Sequence, residues 1–570
     1  MTEKKPIIQF KDFSFQYFAQ ANPTLMDINL EIYEGEKILI VGPSGSGKST
    51  LGNCLNGLIP HAYKGEIQGS LEICGEDAVK LGIFELSKRV GTVLQDSDGQ
   101  FVGLSAGEDM AFALENDCVD QATMMKTVQR VAEMVDMGAL LKSSPYELSG
   151  GQKQRVAFAG VLVDDVDVLL FDEPLANLDP ATGKTAIDLI DQIHEKYKKT
   201  VVIIEHRLED VLYRNVDRIV VVSEGKIVTV QTPDALMTTN ILPDLGIREP
   251  LYVTALKHAD VTITEQMHAG RLDTLTLGED EKQKLHAWSR ERLPQAPEAG
   301  EEILRAEHLC FSYNGRRQIL KDISFSIREG EMVSIVGTNG AGKSTTAKLI
   351  CGFVNPDDGA LYFQGASLDG QTIKERSEYI GYVMQNPNQM ICKSMIYDEV
   401  AFGLVARGLS EEEIRMKVEH ALKICGLYPM RKWPISALSF GQKKRLTIAS
   451  MLVMDPKILI LDEPTAGQDY RHYTEIMEFL KSLNKEGVTI LMITHDMHLM
   501  LEYTPHAIVI HDGQKIGDSS AVDILSDEEI AETASLKVTS LYQLGQMAGF
   551  THPQDLVQHF IDYEREVLRK

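Results

Sequence analysis

The nine residues GPSGSGKST at positions 42–50 recur as GTNGAGKST at 337–345, an offset of 337 − 42 = 295. Three further landmarks repeat at nearly the same distance. LSGGQKQRV at 148–156 matches LSFGQKKRL at 438–446 (438 − 148 = 290), and LLFDEP at 169–174 matches LILDEP at 459–464 (459 − 169 = 290). The runs IIEH and MITH end at His206 and His495 (495 − 206 = 289). A period of about 290 residues is far longer than a solenoid unit, so each copy is a whole domain. The first domain falls at 1–240 and the second at 303–530, with a connecting segment at 241–302 and a tail at 531–570.

Within each copy the pattern is strand, glycine loop, helix. The apolar runs KILIV and MVSIV lead directly into the two glycine loops. Later runs at 166–171, 201–204, 458–461 and 489–493 are apolar on both faces, as buried parallel strands are. The expected fold is therefore α/β, with the ligand at the carboxyl ends of the strands. The connecting segment carries a helical pattern at 249–258, then an acidic run, then Pro294 to Gly300 as linker. The tail carries two helical patterns, the second with Thr551 as N-cap, Pro553 in the first turn and Leu556, Phe560 and Ile561 on one face. Such a stripe reads as a packing appendage rather than an oligomerisation module.

Lys plus Arg number 57 against 83 Asp plus Glu, a net charge of 57 − 83 = −26, which repels a nucleic-acid backbone. The seven cysteines are scattered without a CxxC pair, as suits a reducing compartment and not a disulfide frame or zinc cluster. No stretch approaches the roughly 18 apolar residues of a membrane span, and no apolar segment follows the N-terminal lysines. The expectation is a soluble, unsecreted chain that meets a membrane only through partners.

The motifs at 42–50 and 337–345 are P-loops. Their glycines let backbone N–H groups and a helix N-terminus surround phosphates, which assigns Gly42, Pro43, Ser44, Gly45, Ser46, Gly47 and Thr50, and Gly337, Thr338, Asn339, Gly340, Ala341, Gly342 and Thr345, to the phosphate cradle. Lys48 and Lys343 reach the β- and γ-phosphates, while Ser49 and Ser344 ligate Mg²⁺. Asp172 and Asp462 end apolar strands, where a carboxylate can hold the same ion. Glu173 and Glu463, which follow, can orient or deprotonate an attacking water. His206 and His495 end strand-like runs in both copies, placing an imidazole near the γ-phosphate.

The ordered set of P-loop, glutamine loop, LSGGQ, apolar-DE and strand-end His resembles the nucleotide-binding domains of ABC transporters, and the resemblance covers about 460 of 570 residues. It implies two tandem P-loop NTPase domains, each a mixed-sheet core with helices and a helical LSGGQ subdomain, acting as an ATPase with ATP and Mg²⁺. It further implies a head-to-tail sandwich in which each ATP lies between one P-loop and the other copy's LSGGQ. Ser149, Gly150 and Gly151 then face the second P-loop, and Ser439, Phe440 and Gly441 the first. Tyr17 and Tyr313 match the adenine-stacking aromatics, Gln95 and Gln385 the glutamines that sense Mg²⁺ and the transport partner, and Asp179 and Asp469 the D-loop. Phe440 stands where the family pattern has Gly, which predicts that the site closed by LSFGQ turns over at its own rate.

The text after each glutamine, QDSDGQFVGLSAGEDMAFALEN and QNPNQMICKSMIYDEVAFGL, resembles the ATPases of energy-coupling-factor (ECF) importers of vitamins and transition metals. That resemblance implies a peripheral subunit on the cytoplasmic face of the cell membrane. Its partners are an integral membrane scaffold protein and a separate substrate-capture membrane subunit, with no nucleic acid. Phe101, Val102, Met390 and Ile391 are candidates to line the grooves that take the scaffold. The fused arrangement is similar to that of ATPases for hydroxymethylpyrimidine or thiamine import. Three rivals stand beside it, of which an exporter ATPase is disfavoured by the loop text after Gln95. A ribosome-associated duplicated ATPase needs a charged helical arm, for which 241–302, with 12 acidic and 7 basic residues and prolines near its end, is ill suited. A sugar importer's fused ATPase commonly has one degenerate site, whereas both P-loops, DE pairs and histidines are intact here.

Overall fold

All five residues of Lys37–Val41 are buried, as are all five of Met332–Val336, because each run lies at the centre of a sheet covered on both faces. The computed structural model describes residues 5–94, 98–176, 178–290, 300–313, 315, 317–465, 468 and 470–565. By internal contacts the chain divides into two units, Met1–Leu178 with Thr182–Leu285, and Asp179–Ala181 with His286–Lys570.

In the first unit, a six-stranded sheet runs in the order Lys226–Gln231, Arg218–Ser223, Lys37–Val41, Thr200–Ile204, Val168–Asp172, Val90–Val93. Neighbours are parallel except for the antiparallel edge pair Lys226–Gln231 and Arg218–Ser223. A second, antiparallel sheet orders Leu25–Tyr33, Pro6–Tyr17, Gly65–Ile73 and Glu76–Asp77. Phe10, Phe13 and Phe15 from this sheet pack with Ile38 and Ile40 of the other and with Leu51 and Leu55 of the helix Lys48–Leu55. The helix that follows the P-loop is thereby fixed to the core, which holds its N-terminus at the ends of the central strands.

The second unit repeats this plan. Its mixed sheet orders Ile380–Val383, Ile458–Asp462, Thr489–Ile493, Met332–Val336, His506–His511, Gln514–Ser520, and its antiparallel sheet contains Gln318–Arg328, Glu302–Ser312, Asp358–Phe363 and Ala366–Ser367. A helical layer accompanies each: Ala106–Asn116, Gln121–Met134 and Gly150–Leu162 in the first unit, and Ile396–Ala406, Glu411–Ile424 and Phe440–Leu452 in the second. The second layer has its own core, with Val400, Leu404, Val418, Leu422 and Leu446 buried. The helical LSGGQ subdomain expected from the resemblance is present in both.

Residues 241–285 cluster with the first unit and carry helices Ile241–Asp244 and Leu251–His258, with Tyr252 buried and its hydroxyl donating to Ala269 O at 2.9 Å. The linker residues 291–299 lie outside the described set. In the tail, Ser540–Met547 and Pro553–Tyr563 are helical, and Leu556, Phe560 and Ile561 are buried. The ring of Trp288 meets those of His559, Phe560 and Tyr563 edge-on at centroid distances of 4.6, 6.5 and 5.4 Å. The N-cap is His552, not Thr551: Pro553 occupies the first helical position, where its missing N–H costs nothing, and this moves the cap one residue along. Among the described residues no helix is long and apolar enough to cross a membrane.

Candidate functional site

Each P-loop leaves the end of its central strand and folds back against a neighbouring strand. A Cβ on Gly42 would stand 2.1 Å from Val222 O, and one on Gly337 would stand 1.9 Å from Ile510 O, so only glycine fits. Gly47 and Gly342, at φ 103° and 110°, turn the chain into the helices that begin at Lys48 and Lys343. Between them lie Pro43, Ser44, Gly45 and Ser46, and Thr338, Asn339, Gly340 and Ala341. Loop bonds Ser46 N–H to Pro43 O (3.2 Å) and Ala341 N–H to Thr338 O (3.2 Å) close both curves.

Lys48 Nζ donates to Gly42 O and Pro43 O at 2.8 and 2.9 Å, and Lys343 Nζ to Gly337 O and Thr338 O at 2.8 and 3.0 Å. Both ammonium groups are held inside the loop that surrounds them. Burial also pulls Lys343 below the ordinary lysine range. Tyr17 and Tyr313 lie beside the loops, their hydroxyls 3.2 and 3.3 Å from Thr50 Oγ1 and Thr345 Oγ1. Tyr313 is 49% exposed, which leaves its ring face available for stacking.

The carboxylates converge on the same strand ends. Glu173 and Glu463 have φ of 50° and 46°, a left-handed conformation that side chains other than glycine rarely adopt, and it recurs at the same position in both copies. Glu173 N–H donates to Ile204 O (2.8 Å) and Glu463 N–H to Ile493 O (2.9 Å), so each turn is tied to the adjacent strand. Glu173 Oε1 lies 2.9 Å from His206 Nε2, and Glu463 Oε1 lies 2.7 Å from His495 Nδ1. The two sequence-predicted residue types are thus brought together in both units.

Asp172 is pushed up to about 6 by burial and then by the neighbouring charges of Glu173 and Glu205, and its Oδ1 is buried without a hydrogen-bond partner. An orphaned carboxylate oxygen at a phosphate cradle fits a site for a divalent cation, with Ser49 as its second oxygen donor. Asp462 is also raised, by burial first, and it is hydrogen bonded by Ser344 and by Tyr382, whose hydroxyl donates to Oδ2 at 3.0 Å. Gln385 is exposed, and its carbonyl accepts from Lys444 Nζ at 2.9 Å. Gln95 and Asp469 lie outside the described residues.

Ser149 and Ser439 cap the helices Gly150–Leu162 and Phe440–Leu452, accepting from Gln152 N–H at 3.4 Å and Gln442 N–H at 3.3 Å. A Cβ on Gly150 would meet nothing within 4 Å, which explains how Phe440 occupies the same place without disturbing the helix; its ring is 45% exposed. Gly151 is more restricted, since a Cβ there would come within 2.6 Å of Thr182 Cγ2.

Three residues near the sites were missed by the motif reading. Lys444 is 1% exposed and donates to Met384 O, Gln385 O and Glu463 O, linking the LSFGQ helix to the glutamine loop and the DE turn. Burial lowers it to about 8. Glu205, before His206, is buried and raised by that burial; its carboxylate accepts from Leu175 N–H (3.1 Å) and His206 N–H (2.6 Å). Tyr382 is the third. The repeat itself marks all three, because the other copy has Gln154, Thr494 and Thr92 at those places.

Beside the glutamine loop of the second unit lie two adjoining cavities of about 330 and 270 Å³, which share Ser377, Ile380, Met390 and Met451. The first unit has one of about 290 Å³ lined by Leu58, Thr92, Leu94, Gln100 and Asp164 among others. Of the four groove candidates, Met390 lines the cavities. Ile391 packs against the helical-layer core, and Val102 points outward at 63% exposure. Phe101 is half-buried and lines none of them.

The sequence profile of a family described as "ABC transporter" matches residues 25–176 and 320–466. The chain belongs to the ABC transporter ATP-binding family. It carries two ABC ATPase domains, and ATP hydrolysis is the activity of that family. A second profile, described as "ATP-binding cassette cobalt transporter", matches residues 239–311. Among curated relatives, an ABC transporter ATP-binding protein of Clostridium perfringens is 57% identical over 564 residues, covering 99% of each chain. One of Enterococcus faecalis is 55% identical over 565 residues, again covering 99% of each. Among solved structures, CbiO1 of Clostridium perfringens, part of the ABC transporter complex CbiONQ, is 38% identical, covering 41% of this chain and 94% of its own, with a TM-score of 0.39.

Proposed function

We propose that this ABC ATPase is the energy-coupling subunit of an ECF-type importer for a transition metal ion or a vitamin. It would act at the cytoplasmic face of the membrane beneath an integral scaffold protein and a substrate-capture subunit. The observation that carries the reading is the match of residues 239–311, wholly outside both ABC matches, to a profile described as "ATP-binding cassette cobalt transporter". The loop text after Gln385 and the apolar groove around Met390 support it.

In this reading each ATP binds between the P-loop of one copy and the LSGGQ element of the other. Lys48 and Lys343 exchange their loop carbonyls for β- and γ-phosphate oxygens, and the loop N–H groups donate to the remaining phosphate oxygens. Mg²⁺, held by Ser49 and Asp172 or by Ser344 and Asp462 with the glutamines, supplies charge neutralisation on the phosphates when bound. Glu173 and Glu463 orient the attacking water and take its proton on a carboxylate oxygen. His206 and His495 each donate a ring N–H to those carboxylates and so fix them beside the γ-phosphate. ATP-driven closure of the two copies acts on the scaffold through the grooves, and hydrolysis reverses it.

The test is purification of the full chain carrying Glu173→Gln and Glu463→Gln from detergent-solubilised membranes in ATP. One polytopic protein and one small membrane protein should accompany it, the latter defining the cargo. Ribosomal proteins without any membrane protein would rule the importer out.

A further inference from the structure

The two copies differ at the carboxylate expected to face Mg²⁺. In the second unit Asp462 lies in a chain of contacts: Ser344 hydrogen bonds to it, and Tyr382 donates its hydroxyl to Oδ2 at 3.0 Å. Tyr382 is itself braced by Phe353, edge-on at 5.7 Å between ring centroids. In the first unit the equivalent strand position is Thr92. It pairs with Leu170 as Tyr382 pairs with Ile460, in each case two residues before the aspartate. Threonine is too short to span the same gap. Thr92 Oγ1 and Asp172 Oδ1 are both buried without partners, and Ser49 is exposed.

We propose that Tyr382 is a positioning residue for the metal at the second P-loop, so that this site takes up a divalent cation more tightly than the first. The hydroxyl fixes one carboxylate oxygen and leaves the other aimed at the cradle, so the orientational cost of ligation falls before the ion arrives. At the first P-loop, Asp172 must be ordered by the ion itself. A hydrogen bond to a charged group accounts for about a threefold to tenfold difference in affinity when part of it is realised on binding. The inference rests on the nucleotide-site reading above and adds a ranking of the two sites.

Mn²⁺ is the probe. Free Mn²⁺ is followed by electron paramagnetic resonance while the full chain is titrated in a saturating non-hydrolysable ATP analogue, for wild type, Tyr382→Phe and Thr92→Val. Wild type should bind in two unequal steps. Tyr382→Phe should weaken the tighter step about threefold or more, leave metal-free affinity for the analogue in EDTA unchanged and bring the two steps together. Thr92→Val should move neither. Two equal steps in wild type, an unmoved tighter step in Tyr382→Phe, or an equal loss of metal-free nucleotide affinity would overturn the proposal. Absence of any nucleotide-dependent Mn²⁺ binding in wild type would remove the nucleotide-site reading, and this inference with it.

Discussion

His506, the first residue of the edge-adjacent strand His506–His511, gives the second unit a pH dependence that the first does not share. Its Nδ1 lies 2.9 Å from Glu331 Oε1 and its Nε2 lies 2.7 Å from Asp518 Oδ1, an arrangement that both ring nitrogens can donate to only when the imidazole is protonated. Burial opposes that charge, but the two carboxylates outweigh it and raise His506 from 6.5 to about 9. Because the folded value is the higher one, the stabilisation is fully present below 6.5 and is lost as pH climbs toward 9. A displacement of this size corresponds to about 3 kcal/mol, which water at a partly exposed site reduces to roughly 1 to 2 kcal/mol. In the first unit the same strand position is Arg218, whose Nη2 donates to Glu36 Oε2 at 2.7 Å and whose charge does not titrate in this range. His506→Arg therefore serves as the control. Both tryptophans, Trp288 and Trp433, lie in the second unit, so intrinsic tryptophan fluorescence reports its unfolding alone. Urea midpoints should fall between pH 6.5 and 9 in wild type relative to the arginine variant. Midpoints that run parallel across that window would refute the assignment of charge to His506.

Glu173→Gln and Glu463→Gln should each reduce ATPase activity by about 10²-fold or more at the site affected, and the two single variants should retain unequal residual rates; identical losses would remove the asymmetry assigned to Phe440. Phe440→Gly should alter turnover while costing the second unit only about 0.5 to 1 kcal/mol in a urea titration, because the ring is 45% exposed and the first copy already carries glycine at that place. Lys444→Met should destabilise that unit by about 1 to 3 kcal/mol by leaving backbone carbonyls without their donor, read again by tryptophan fluorescence. Leu491→Ala, in the fully buried central strand, should cost about 3 kcal/mol.

The motif spacing carried the fold because a P-loop needs a strand before it and a helix after it, and two intact copies leave little freedom in the sheet between them. Lys48, Glu173 and His206 were legible for the same reason: Lys48 opens the helix after the glycine loop and the other two follow strand ends, where backbone geometry and not distant packing places them. Tyr382 and Lys444 were not. Their roles depend on a hydroxyl crossing to the next strand and on an ammonium buried among carbonyls, neither of which leaves a mark within its own segment. Thr551 was misplaced by one position because the cap depends on where Pro553 enters the helix. Of the four groove candidates Met390 alone lines a cavity among the described residues, because exposed and core apolar residues look alike in a loop without periodicity.

The left-handed turns at Glu173 and Glu463 set two demands against each other. A library selected only for a folded, unaggregated chain should drift at both positions toward glycine and asparagine, relieving about 1 to 2 kcal/mol of backbone strain. A library selected for ATP turnover should hold glutamate. The distance between those two outcomes, position by position, would measure how much each copy is still kept for turnover, and would do so without reference to any other protein.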